Sequence, residues 1–214
     1  MKTLKYIGIA GFTLLTATSL LVAKSAMAIE KAKYTVLEKE DSFEIRQYEA
    51  QIVAETYVDG NLEDVGNAGF RRLYAYISGD NKKKQSISMT APVGQEVSSE
   101  KIAMTAPVSQ EKKDNRRRIT FLMPAEYTLE MLPEPIDESV KLAEEPGRLM
   151  AAVRYSGTWS KEGYQKNKAL LEEYLRKRGL TKAGAAVWAR YDPPFMPWFL
   201  RRNEVLIPVE GDRG

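Results

Sequence analysis

The sequence predicts an α+β fold: two pseudo-symmetric halves forming a distorted antiparallel β-barrel or single sheet, flanked by two α-helices. Three observations carry this prediction. Several short runs alternate apolar and polar residues, and two longer runs switch to helical spacing. A strand–Gly–helix–Gly unit also occurs twice at nearly constant separation, with 97 residues from Gly60 to Gly157 and 100 from Gly79 to Gly179. A meander without internal symmetry is the competing arrangement of the same elements.

Tyr34 to Glu38 and Phe43 to Tyr48 alternate as half-buried strands do, and Gln51 to Val58 is a β-branched run ending at Asp59-Gly60. The period then changes. Leu62, Val65, Gly66, Gly69, Leu73, Tyr76 and Ile77 recur at helical spacing, with Asn61 placed to cap, Glu63 and Asp64 in the first turn, and Gly79 as the stop. Gly66 and Gly69 are poor helix formers that fall on the apolar stripe, which predicts close approach to a strand. Arg118 to Met123 supplies a further strand of the first half. The second unit runs from a strand at Leu149 to Tyr155 through Gly157 into a helix from Ser160 to Arg178. Tyr164, Asn167, Leu171, Tyr174 and Leu175 mark its inner face, a basic last turn suits its C-terminus, and Gly179 ends it. Strands at Ala185 to Tyr191 and Glu204 to Val209 complete this half.

Residues 1–28 read as a secretory signal. Lys2 and Lys5 precede an apolar run from Tyr6 to Ala23, and Ala26-Met27-Ala28 supplies the small-x-small cleavage pattern. The expected product is an exported protein, periplasmic or secreted, made of a single domain over residues 29–214 and free of the membrane after cleavage. An uncleaved membrane anchor is the alternative, at the lower length limit for a spanning helix. The whole chain holds 32 Lys+Arg and 29 Asp+Glu, but three of the lysines lie in the signal, which leaves 29 of each. The basicity therefore belongs to the signal and gives no argument for nucleic acid. The basic runs Lys82-Lys83-Lys84 and Arg116-Arg117-Arg118 read as solvated loops.

What the composition lacks narrows the chemistry. The chain has no Cys, which removes disulfides, thiol nucleophiles and iron–sulfur sites, and no His, which removes the Ser-His-Asp triad and His-ligated zinc. A carboxylate pair could still run glycoside hydrolysis, but no spacing of Asp and Glu singles one out. The expectation is a binding protein and not an enzyme.

A short repeat stands out: Ile87-Ser88-Met89-Thr90-Ala91-Pro92-Val93 returns fifteen residues later as Ile102-Ala103-Met104-Thr105-Ala106-Pro107-Val108. The polar connector between them suits a hairpin loop, and each copy should be an edge strand or stop at Ala-Pro. Met89 and Met104 either fill gaps in the core or present soft side chains to a flat ligand.

That duplicated Met-Thr-Ala-Pro-Val segment resembles the SOUL/haem-binding protein family. Further resemblance lies in Phe43-Glu44-Ile45-Arg46-Gln47-Tyr48, Ala54-Glu55-Thr56 and Tyr76-Ile77-Ser78-Gly79-Asp80-Asn81. The longest match is Ala189-Arg190-Tyr191-Asp192-Pro193-Pro194-Phe195, continuing from Trp198-Phe199-Leu200 to Arg201-Arg202-Asn203-Glu204-Val205. The resemblance implies a two-halved distorted barrel with two helices that binds haem or another tetrapyrrole without catalysis. At fold level it is similar to effector-binding domains of bacterial regulators, which take up amphipathic small molecules; Glu55 beside Tyr57 would suit a cationic ligand of that kind. Protein axial ligands to haem are normally His, Cys, Met or Tyr, and only Met and Tyr are present here. The resemblance therefore implies haem held by its apolar faces, with propionates meeting Arg or Lys.

The expected binding residues are Asn67, Phe70, Arg71, Tyr74, Met89, Met104, Phe195 and Met196. On the first helix Phe70 falls at the edge of the apolar stripe, Tyr74 and Asn67 just beyond it, and Arg71 toward solvent. Phe70 and Tyr74 form either a shelf for a ring, with Arg71 as propionate partner, or a lateral cap on the core. In the Pro-rich segment from Tyr191 to Arg202, the aromatic residues either cover the end of the barrel or face a macrocycle. Arg201 and Arg202 either pair with Glu204 or a nearby acid, or meet a propionate.

Overall fold

A computed structural model describes residues 29–60, 62, 64–83 and 98–211. The chain divides into two units, Met1–Glu30 and Lys31–Gly214, and the fold below is that of the second. The predicted secretory signal, the cap at Asn61, Lys84 and the first Met-Thr-Ala-Pro-Val copy with Met89 lie outside the described residues.

In chain order the elements are β1 (Tyr34–Glu40), β2 (Phe43–Tyr48), β3 (Gln51–Val58), α1 (Asp64–Ile77), β4 (Asn81–Lys82), β5 (Val108–Lys113) and β6 (Arg116–Leu122). They continue with β7 (Glu134–Pro135), β8 (Val140–Glu145), β9 (Leu149–Tyr155), α2 (Lys161–Arg178), β10 (Val187–Arg190) and β11 (Asn203–Pro208). A 3-10 turn, Trp198–Leu200, lies between the last two strands. The second helix keeps its sequence signals. Ser160 Oγ accepts from the Gly163 N–H, and Gly179 closes the C-terminus in the left-handed conformation at φ 68°.

Nine strands make one curled antiparallel sheet in the order β1-β2-β9-β11-β10-β5-β6-β3-β8. The repeat read in the sequence appears here as mirrored order: β3-β6-β5 in the first half answers β9-β11-β10 in the second. The halves meet at the antiparallel β5–β10 pair. The strand leading into each half pairs with the other half: β2 with β9, and β8 with β3.

Both helices lie on one face of the sheet. Leu73, Tyr76 and Ile77 of α1 pack with Ala54, Ile119 and Phe121, while Tyr164, Leu171, Tyr174 and Leu175 of α2 pack with Ile45, Val153, Trp188 and Val205. Gly69 makes the close approach that its place on the stripe predicted, because a Cβ there would stand 2.7 Å from Ile119 Cγ1 and 3.0 Å from its Cβ. Alanine normally favours a helix over glycine by up to about 1 kcal/mol. The β-branched Ile119 cannot swing aside, so overpacking outweighs that gain. We expect Gly69→Ala to cost about 1–2 kcal/mol net in urea unfolding; a stabilised variant would show the α1–β6 approach to be looser than this.

Three sequence expectations are corrected. Arg116-Arg117-Arg118 is not a loop but the start of β6, where Arg118 is buried. The second Met-Thr-Ala-Pro-Val copy is not a hairpin strand: Ala106 makes an isolated bridge to Lys31, and β5 begins at Val108, after the proline. Strands β5 and β8 were not expected at all, because polar residues stand at buried or half-buried positions, Gln110 and Glu111 in β5 and Glu145 in β8.

Candidate functional site

On the helix-covered face, strand register aligns Phe121, Val108, Arg190, Asn203 and Tyr155 in one row across β6, β5, β10, β11 and β9. The neighbouring row is Ile119, Gln110, Trp188, Val205 and Val153. The N-terminal half of α1 crosses both rows. Gly66 faces Arg190 and Gln110, and Gly69 faces Ile119. Phe70 meets Phe121 edge to face with centroids 5.3 Å apart. Arg190 ends β10 and Asn203 begins β11, so residues 191–202 leave the sheet from this same row, with the Tyr191 N–H donating to Arg202 O. The loop therefore springs from a point two strands, about 10 Å, from Phe121.

Phe70 is half-buried against the core beneath α1. Tyr74, 49% exposed, stacks on it with centroids 5.7 Å apart and planes within 10°. Phe70 thus caps the core from the side, and Tyr74 lies exposed beyond it. Asn67 and Arg71 are exposed on the same side of the helix. Met104 is 38% exposed. In the β10–β11 loop, Phe195 is 85% exposed, with Trp198 at 58%, Phe199 at 58% and Leu200 at 63%. These side chains are exposed although the segment is tied back to the chain just after β9, where the Gly157 N–H donates to Trp198 O at 3.0 Å. Met196 is half-buried, and its carbonyl accepts from Arg201 Nε at 2.8 Å.

The two loop arginines part company. Arg202 pairs with Glu204 at 2.8 Å, as the sequence allowed, whereas Arg201 donates to the carbonyls of Met196 and Pro194 and lies 4.8 Å over the Trp159 ring. Arg190 and Trp159 were missed by sequence reasoning. The available signal was the alternation Val187-Trp188-Ala189-Arg190, which puts an arginine on the same inward face as a buried tryptophan.

The opposite face carries the ionic chemistry. Arg118 binds three carboxylates: Glu55 at 2.5 Å, Glu111 at 2.8 Å and Glu145 at 2.6 Å. Burial pushes the Glu145 carboxyl up, but the charges of Arg118 and Arg148 outweigh it and hold the group below the usual glutamate range. Glu111, Arg118, Glu145 and Arg148 line an open recess of about 40 Å³, room for a few waters. Tyr57 OH does reach Glu55 at 3.4 Å, and that carboxylate shares Arg118 with Glu111 and Glu145. Among the described residues no cluster of three or more acidic side chains is placed to hold a metal ion. Nor is any helix long and apolar enough to cross a membrane.

Comparison with known proteins decides the family. The model described as SOUL heme-binding protein matches residues 29–208. The chain belongs to the SOUL heme-binding protein family. Among relatives in this family, Heme-binding protein 1 of Mus musculus is 28% identical over 172 residues, covering 79% of this chain and 85% of that protein. Heme-binding protein 1 of Xenopus laevis is 25% identical over 165 residues, covering 77% and 82%. Two solved structures share the fold: the EcmrR C-terminal domain (TM-score 0.54, 9% identity, 83% of this chain and 98% of that one) and a hydrolase from Listeria innocua (TM-score 0.51, 13% identity, 88% and 97%). At such identities they speak for architecture alone.

Proposed function

We propose that this member of the family binds haem or a related tetrapyrrole on the helix-covered face, between α1 and the β10–β11 loop, without catalysis and without a histidine ligand. The observation that carries this reading is the parallel stack of Phe70 and exposed Tyr74, on a face also bordered by exposed Phe195, Trp198 and Phe199. A flat apolar ring is the ligand such a shelf suits, since offset stacking and area burial both favour it. The donor set fits a macrocycle held by its faces: imidazole and thiolate are absent from the sequence, and of the thioethers among the described residues Met104 and Met131 are exposed and Met196 is half-buried. Binding without bond-making is further supported by the buried carboxylates. Arginines keep Glu145 and Glu204 ionised, which is the opposite of what a general acid requires.

Hemin titration followed by absorbance tests the reading. Tyr74→Ala should weaken hemin binding by about 1–3 kcal/mol, the scale of burying one large side chain. Its unfolding midpoint should barely move, because Tyr74 is exposed. The bound spectrum should lack the low-spin signature of two nitrogen ligands. An unchanged hemin affinity in Tyr74→Ala would remove the shelf as the binding surface.

A further inference from the structure

Four arginines have their guanidinium withdrawn from water on or beside the sheet, and three of them hold a carboxylate. Arg46 has Glu204 and Glu44, Arg118 has three glutamates, and Arg202 has Glu204. Arg190 is the exception. Its Nε is fully buried and makes no hydrogen bond, and no acid among the described residues pairs with it. Its guanidinium lies instead over two indoles, 5.3 Å from the Trp188 ring and 5.4 Å from Trp159. Burial draws its pKa down to about 10, with only a weak opposing influence from Tyr155; the three paired arginines are all shifted upward.

The surroundings sharpen the anomaly. A Cβ on Gly66 would stand 3.3 Å from Arg190 Nη2, so the cation is pressed against the first turn of α1. That is the positive end of a helix dipole, where an anion belongs and a cation does not. Trp159 immediately precedes Ser160, the N-cap of α2, so a second helix start is close by. Arg201 lies over the same Trp159 ring and donates only to backbone carbonyls. The Nε1 donor of Trp159 is buried without a partner, while Trp188 Nε1 and the Tyr155 hydroxyl are buried close to one another. Two unpartnered acceptors, Gln110 Oε1 and Asn203 Oδ1, are also present and suit an N–H or a water. The balance is nevertheless cationic: both guanidiniums lie over the Trp159 ring, Arg190 also over Trp188, and no carboxylate among the described residues pairs with either.

We propose that Arg190, backed by Trp159 and Trp188 and flanked by Arg201, is a binding site for the carboxylate group of an amphipathic ligand. A carboxylate is planar and accepts two parallel N–H bonds from a guanidinium, which a buried arginine fixed between aromatic rings presents without reorganisation. Gly66 precedes Phe70 by one helical turn, so the site lies about 6 Å along α1 from the aromatic shelf. On the tetrapyrrole reading, on which this part alone rests, the carboxylate is a propionate and Arg190 takes the anchoring place first expected of Arg71. A free carboxylate with a short apolar tail is the other source of the same chemistry.

Two titrations of the full-length protein and its Arg190→Gln and Arg190→Lys variants separate these sources. In the first, tryptophan emission is followed with hexanoate and with uncharged hexanamide, since two of the three tryptophans line the site. The expected result is a saturable response to hexanoate alone, lost in Arg190→Gln and partly kept in Arg190→Lys. In the second, hemin is compared with hemin dimethyl ester, which lacks free carboxylates. Wild type should favour hemin by about tenfold or more, the scale of a hydrogen bond to a charged group, and Arg190→Gln should erase the preference. A response to either probe that depends on Arg190 supports the site and names its source. If both probes behave alike in wild type and both variants, the proposal is overturned, and hemin binding with no preference over its ester would leave the tetrapyrrole reading standing alone. Hexanoate binding without hemin binding would do the reverse.

Discussion

Glu204→Ala is expected to lower the stability of the protein by about 3–5 kcal/mol, the cost of stripping one partner from a buried ion pair. The Glu204 side chain has no solvent exposure, and Arg46, which it holds at 2.7 Å, is 2% exposed. The same carboxylate also accepts from Arg202 at 2.8 Å and from Tyr191 OH at 2.9 Å. Removing it leaves two inward guanidiniums sharing Glu44 and the Tyr34 hydroxyl. Burial pushes the Glu204 carboxyl up, but hydrogen bonds and charge from Arg46, with help from Arg202, bring it below the ordinary glutamate value. A carboxyl depressed in the folded state contributes stability above its unfolded pKa and loses it as pH falls through the folded value. Wild type should therefore weaken on acidification below about pH 4.3, the unperturbed glutamate pKa, and Glu204→Gln should show a flatter acid limb. Urea unfolding followed by far-ultraviolet circular dichroism, from pH 7 downward, measures both effects. A loss under about 1 kcal/mol in Glu204→Ala would mean that the network is wetter than the structure shows.

Arg118→Leu should cost about as much at neutral pH, roughly 3–5 kcal/mol, for the opposite reason. Glu55, Glu111 and Glu145 reach Arg118 from β3, β5 and β8, so the variant confines three carboxylates with Arg148 as their nearest remaining cation. Protonation relieves that repulsion. The variant should accordingly regain stability relative to wild type as pH falls, while wild type loses the part contributed by the depressed carboxyl of Glu145. The gap between the two unfolding free energies should narrow from pH 7 to pH 4. A constant gap would show that Arg118 acts by packing and not by charge.

Local signals made much of this fold legible before any coordinates. Ser160 and Gly179 mark the ends of α2 because capping is settled within four residues, and Gly69 announces a close approach because only its missing Cβ permits one. What stayed hidden was decided by distant partners. Arg118 reads as one of three basic residues in a polar stretch, and its burial depends on glutamates as far as 63 positions away. The same partnership conceals β5 and β8, whose inward acids spoil the expected alternation. At the site, Phe70 and Tyr74 could be placed from the helical period alone. Arg190 had only the alternation from Val187 to speak for it, since a single arginine ending a short strand looks like a surface residue until Trp159 and Gly66 close over it. Phe195 and Trp198 stand exposed in a segment whose aromatic composition suits a cap on the barrel's end equally well.

The exchange of β2 and β8 between the halves has a consequence for how the protein reaches its native state. Neither half owns a finished sheet, because the strand that covers the outer edge of β9 precedes β3, and the strand that covers β3 precedes β9. A first half emerging alone from synthesis would leave one edge of β3 uncovered and β2 paired with β1 alone, and a fragment ending near Gly147 would gain β8 for β3 but still lack β9 for β2. Such unpaired edges seek other chains, so premature partners compete with the correct one until the second half arrives. Native pairing must also span some hundred residues, which slows folding by topology. The interlock that makes the two halves a single cooperative body is thus also its period of greatest exposure to misassembly.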